Sequence, residues 1–189
     1  VKPAPEAEMR PEQASARPSS AVVVRRVPVV TGTAVLLASG VVLLGWAIDQ
    51  QSLQTLFFGS VTIKANTAVG LAFSAAALLL SDHSTFSPRT TRITVRALSA
   101  VVTLVGGLTL AEYAFDTQLG IDQLVFPASA DEGLTPTPGR MAAVTAFAFL
   151  LLGVALLTLQ RGTTRQRPAQ ALLLAVGALA LTFLLGYVY

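Results

Sequence analysis

The chain contains no cysteine. That absence removes disulfides, zinc–thiolate sites, iron–sulfur clusters and thiol nucleophiles. Charge is scarce as well. Asp, Glu, Lys and Arg together make up 12% of the 189 residues, about half the roughly 25% usual in a soluble domain. So little charge cannot cover a water-facing surface, and lipid is the expected solvent for most of the chain. Histidine occurs once, as His83 in the polar segment SDHSTFSPR, and is read as a solvated loop residue rather than a phosphoacceptor. No Walker loop, H-E-x-x-H helix or nucleophile elbow is present. The Ser, Thr and carboxylate residues form no readable catalytic set, so this segment is expected to carry no catalysis, metal or cofactor. The basic residues form no long stripe with interleaved aromatics, which argues against a nucleic-acid partner.

What the chain does have is apolar runs, in 53% hydrophobic composition. They predict an all-α fold, a polytopic bundle of about five transmembrane helices. Residues 1–26 are rich in Pro, Ala, Ser, Glu and Arg and cannot bury a core, so a disordered tail is expected there. The first span is 27–48, uninterrupted by charge, where about 20 residues are needed. The second is 63–80, its short apolar run lengthened by Lys64 snorkelling. The third is 97–115, with Glu112 near its end. The fourth is 141–159 and the fifth is 169–189. The runs are continuous rather than alternating, which indicates helices and not barrel strands. Polar loops fall at 81–96 and 160–168. The chain opens on Val1 rather than Met, so a trimmed or longer parent protein is expected.

Orientation follows from Lys and Arg. Lys2, Arg10, Arg17, Arg25 and Arg26 lie in the tail. Arg89, Arg92 and Arg96 follow the second span, and Arg161, Arg165 and Arg167 follow the fourth. Only Lys64 and Arg140 fall on the other side. The tail and loops 81–96 and 160–168 are therefore expected to be cytoplasmic, with 49–64 and 116–140 outside. The outer loops contain LQTLFF at 53–58 and IDQLVF at 121–126, which read as short interfacial segments.

The chain also repeats itself. WAID at 46–49 matches YAFD at 113–116, LQTLFF matches IDQLVF, and NTAVGLAFSAAALLL at 66–80 matches VTAFAFLLLGVALLT at 144–158. Each unit reads as helix, surface segment, helix, which gives one repeat over 27–80 and a second over 97–159. LLGYVY at 184–189 matches LLGWAI at 43–48, so 169–189 opens a third unit whose second helix is expected beyond it. The units run in the same direction, unlike the inverted repeats of many transporters.

Seven residues are candidates for binding or sensing. Glu112 is an ionisable group at membrane depth and is functional by default; it is read either as a partner of Arg140 or as an interfacial carboxylate that reaches water. Trp46, Tyr113 and Tyr187 occupy equivalent positions. They read as an interfacial aromatic belt or as three walls of an outward pocket. Asp122 lies at the outer edge, and Asn66 opens the second span, where helix capping is the favoured role. Asp49 and Asp116 are expected to cap the surface segments.

IKANTA at 63–68, RMAAVTA at 140–146, LAEYAFDTQLGIDQLVF at 110–126 and GYVY at 186–189 carry a resemblance. The chain is similar to the N-terminal multi-span membrane region of bacterial sensor histidine kinases and diguanylate cyclases. There a motif like M-x-P-N-T-A opens the even-numbered helices. Ala65 and Ala143 replace its Pro, and Val144 replaces its second Asn. The resemblance implies a sensor or anchor module in the bacterial inner membrane, with no ligand specified. It also implies a parent protein whose output domain is a kinase or cyclase, and homodimerisation through that parent. A small transporter or permease fragment is the alternative reading.

Overall fold

The computed structural model describes residues 18–56, 62–82, 87–126, 137, 139–160 and 166–188. The described residues are all helical apart from turns and short connections. Six α-helices and one 3-10 turn follow in order: α1 Pro18–Ala47, α2 Gln51–Gln54, α3 Ala65–Asp82, α4 Pro88–Phe115, η1 Ile121–Gln123, α5 Ala143–Leu159 and α6 Gln166–Val188.

Each long helix packs on the next: α1 on α3, α3 on α4, α4 on α5 and α5 on α6. The pairs are antiparallel. The end of α1 meets the start of α3, where the Trp46 indole donates to the Ile63 carbonyl, while Gly32 lies against Leu79. In the second pair, Tyr113 meets Met141, and Gly153 lies against Ser99 and Thr103.

Two helical stretches, Arg26–Ala47 and Pro88–Phe115, are long and apolar enough to cross a membrane. Three shorter apolar stretches accompany them, Ala65–Ser81, Ala143–Leu159 and Arg167–Thr182. Of the five expected spans, two are thus long and apolar enough to cross a membrane, and the other three correspond to the shorter stretches.

The element boundaries also differ from the sequence reading. The expected tail over 1–26 is helical from Pro18 onward; residues 1–17 lie outside the described set. A helix already nucleated propagates readily through Ala21–Val24, and Pro18 sits in a first turn, where its missing N–H is no loss. The loop expected over 81–96 is helical from Pro88. Ser87 caps that helix by accepting from the Thr90 N–H at 3.3 Å, with Pro88 at its first position. His83 and residues 161–165 of the other loop lie outside the described residues.

The polarity of α4 is inverted. Its buried stripe is Val95, Ser99, Val102, Gly106, Thr109 and Glu112, the spacing of one helix face. Its exposed residues include Ile93, Leu104, Leu108 and Phe115. Small and polar groups face the protein and large apolar groups face outward. Exposed Val30, Leu37, Leu174 and Leu181 extend this apolar exterior over α1 and α6.

Candidate functional site

The site forms where α1 and α4 end. Both helices stop in the same way. Asp49 and Asp116 adopt left-handed conformations, with φ of 52° and 50°. The next N–H in each case reaches back: Gln50 donates to the Gly45 carbonyl at 2.8 Å, and Thr117 to the Glu112 carbonyl at 3.1 Å. This is the helix-terminating role of a residue just past the last turn. It corrects the expected capping of the surface segments, whose N-cap positions hold Gln50 and Gly120 instead. Asp tolerates the left-handed region better than most residues, though at a cost of about 1–2 kcal/mol. Asp49→Gly and Asp116→Gly are therefore each expected to stabilise the fold by about 1 kcal/mol, measured by thermal unfolding in detergent.

Three residues before each aspartate an aromatic ties the helix end to the start of the next long helix. Trp46 Nε1 donates to the Ile63 carbonyl at 2.9 Å, and Tyr113 Oη donates to the Met141 carbonyl at 3.0 Å. Each ring thus bonds the backbone just before the second helix of its own pair. The Tyr187 side chain lies outside the described residues. Polar tips on buried rings need such partners.

The second pair adds a charged cluster. Glu112, on the buried stripe of α4, is fully buried, and Arg140 and Asp122 are 4% and 5% exposed. Arg140 Nε donates to Asp122 Oδ2 at 2.9 Å, and its Nη2 donates to the Thr117 carbonyl at 3.0 Å. The same Nη2 stands 3.6 Å from Glu112 Oε2, an ion pair without hydrogen-bond contact. The other Glu112 oxygen, Oε1, accepts the Leu119 N–H at 2.7 Å. The Arg140 guanidinium also lies over the Tyr113 ring, 5.3 Å from its centroid. Two glycines make these approaches possible. Gly120 precedes η1 and Gly139 precedes Arg140, both at φ 77°, where a side chain is strained. Burial works against the Arg140 charge, but the Asp122 hydrogen bond and the Glu112 carboxylate outweigh it, and its pKa lies above the ordinary arginine value.

Asn66 joins this cluster to the first helix pair. Its Nδ2 donates to Asp122 Oδ1 at 3.3 Å, while its Oδ1 accepts the Thr67 N–H at 2.8 Å. Asn66 lies one residue inside α3 rather than at the N-cap; its side chain still serves a first-turn N–H and adds a contact between the two pairs. A second contact runs beside it. The Trp46 ring stacks on Phe126, with centroids 6.2 Å apart and planes at 27°.

No family model, curated protein or solved structure matches the chain. The site therefore stands on its geometry alone. Glu112, Arg140, Asp122, Asn66 and Tyr113 come together, and Trp46 abuts them through Phe126. Sequence reasoning missed Gln54. It is 3% exposed, and its Nε2 donates to the Gly45 carbonyl at 3.3 Å. The alignment of LQTLFF with IDQLVF could have found it, since that alignment sets Gln54 against Asp122. It also missed the backbone groups of Thr117 and Leu119, which no side-chain pattern reveals. Lys64, expected to snorkel, is 8% exposed instead.

The cluster is closed rather than open. With Glu112, Asp122 and Arg140 all buried, a ligand larger than a proton reaches them only if the 117–126 segment moves. The arrangement suits a latch between helix pairs better than a pre-formed pocket.

Proposed function

We propose that the chain is a multi-pass membrane module of five spans that senses a stimulus at its outer end. The stimulus is passed on as a shift in helix packing to a signalling output of the histidine kinase or diguanylate cyclase type. The inverted polarity of α4 supports the membrane reading, because lipid favours apolar exteriors and small or polar helix contacts. The three shorter helices span on this reading because about 17 residues is the lower limit of a spanning helix. Lys and Arg put the N-terminus in the cytoplasm and the Arg140 cluster outside the bacterial inner membrane.

The observation that carries the sensing role is the buried Glu112–Arg140–Asp122 cluster, tied through Asn66 to the other helix pair. Charges at such a joint form an element with two arrangements, closed and open. A stimulus shifts that balance by its differential affinity for the two. Homodimerisation belongs to the same proposal, through the parent signalling protein.

Because the chain has no native cysteine, single cysteines report topology cleanly. Gln50→Cys and Gln123→Cys are expected to react with an impermeant maleimide from outside intact cells, and Ser87→Cys only after permeabilisation. The reverse pattern sinks the orientation. Fused to a kinase or cyclase output module, the chain is expected to set its activity, and Arg140→Ala to change that activity at equal expression. Output indifferent to Arg140 overturns the sensing role. The buried Glu112 also favours a transport reading; solute flux in proteoliposomes that is lost on Glu112→Gln would replace the sensor proposal with that one.

A further inference from the structure

The charges around Arg140 do not balance. Two carboxyls, Glu112 and Asp122, share one guanidinium. Asp122 is well served, by Arg140 on one oxygen and Asn66 on the other. Glu112 is not. Among the described residues its buried Oε2 has no hydrogen-bond partner, and Arg140 stands too far away, at 3.6 Å, to supply one. A buried carboxylate oxygen left this way is costly. The Asp122 carboxyl is bonded to the same guanidinium. Two carboxylates held on one guanidinium repel each other, and a proton on one of them relieves that repulsion.

We propose that the cluster is a proton-binding site, in which one proton held on Glu112 keeps the 117–126 segment clasped on the first helix pair. The bound proton removes the repulsion and leaves one carboxylate for one guanidinium. Every element around it contributes a neighbour. α4 brings Tyr113, whose hydroxyl is engaged with Met141. The turn before α5 brings Arg140. The start of α3 brings neutral Asn66 and, two residues earlier, Lys64, which has a contact of its own. At the end of α1, Asp49 is exposed.

The repeat shows what the proton would be for. In the sequence alignment Gly45 stands where Glu112 does, Gln54 where Asp122 does, and Thr62 where Arg140 does. The first unit has no carboxyl at these positions. A Cβ at Gly45 would lie 2.7 Å from Leu53 Cβ and 2.8 Å from the Gln54 nitrogen, so α2 presses directly on the helix. There the segment is fixed by close packing. In the second unit the segment rests on a titratable joint. Loss of the proton leaves two buried carboxylates against one guanidinium, and the 117–126 segment is expected to lift.

Trp46 reports this motion. It is the only tryptophan, and Phe126 stacks on it four residues after Asp122. With the full chain in lipid nanodiscs, raising the pH is expected to give one reversible transition in Trp46 emission. Glu112→Gln, whose amide N–H donates without titrating, is expected to abolish the transition and hold the low-pH spectrum. An unchanged transition in Glu112→Gln, or none in the parent chain, overturns the proposal. Infrared spectroscopy of the parent chain gives a second readout that needs no variant. A protonated-carboxyl C=O stretch present on the acid side and lost through the transition supports the proton, and its absence on both sides overturns it. The inference rests on the cluster as the sensing element, yet the two fail separately. A titrating proton together with a silent output fusion would keep the site and discard the sensor.

Discussion

Arg140→Ala is expected to destabilise the fold by about 3–5 kcal/mol, the loss typical when one partner of a buried ion pair is removed. The variant leaves the carboxylate that Arg140 balances buried with no countercharge, and it strips the Thr117 carbonyl of its donor. The magnitude reflects the stranded carboxylate more than the attraction lost. That distinction is testable. The triple change Glu112→Gln, Asp122→Asn and Arg140→Met removes all three ionisable groups together and is expected to recover most of the loss, since buried ion pairs contribute little beyond an uncharged replacement. Arg140→Lys is expected to fall between, because its ammonium keeps the charge but lacks the planar fork that bonds Asp122 from Nε and Thr117 from Nη2. Denaturant unfolding in a fixed detergent measures all of these. A loss below about 1 kcal/mol for Arg140→Ala, the range of exposed pairs, would mean that water reaches the cluster.

The second large effect lies at the seam between α4 and α5. A Cβ at Gly106 would stand 2.5 Å from the Ala146 carbonyl oxygen and 2.6 Å from the Leu150 nitrogen. One at Gly153 would collide with Thr103 Oγ1 and lie 2.7 Å from the Thr103 nitrogen. The Gly106 obstacles are backbone atoms of the facing helix, so no side chain can swing aside. Gly106→Ala and Gly153→Ala are each expected to cost about 1–3 kcal/mol, and the corresponding leucine variants to separate the helices. Gly40 and Gly177 provide the contrast, with nothing within 4 Å of the added Cβ. There, alanine relieves the glycine penalty inside a helix and is expected to stabilise by about 0.5–1 kcal/mol. Tm values in one detergent separate the two classes. Equal effects at all four positions would rule out close α4–α5 packing as the cause.

The same seam explains why the spans are easier to read than the site. Apolar runs announce α1 and α4 because hydropathy is a property of residues alone. The matched aromatics, Trp46 and Tyr113, could likewise be aligned from sequence, and so could Glu112 with Arg140 as a candidate pair. The aspartates were misread because an Asp after an apolar run suits either the end of one helix or the start of the next. Only the backbone angles, φ 52° and 50°, assign them to the ends. The local role expected of Asn66 is kept one residue inside the helix, where its side chain accepts the Thr67 N–H. Its bond to Asp122 is not legible in the sequence, because it joins residues far apart in the chain.

The sequence by itself determined that the chain is helical, that its long helices are apolar, and which ionisable residues sit at their ends, because composition and periodicity act residue by residue. The tertiary structure decided which face of α4 is buried, that Arg140 serves Asp122 more closely than Glu112, and that Gln54 and Gly45 meet where the second pair holds charge. Those outcomes depend on how closely two helices approach and on where a turn aims a side chain. Distance and direction of that kind arise only when separate parts of the chain are packed together.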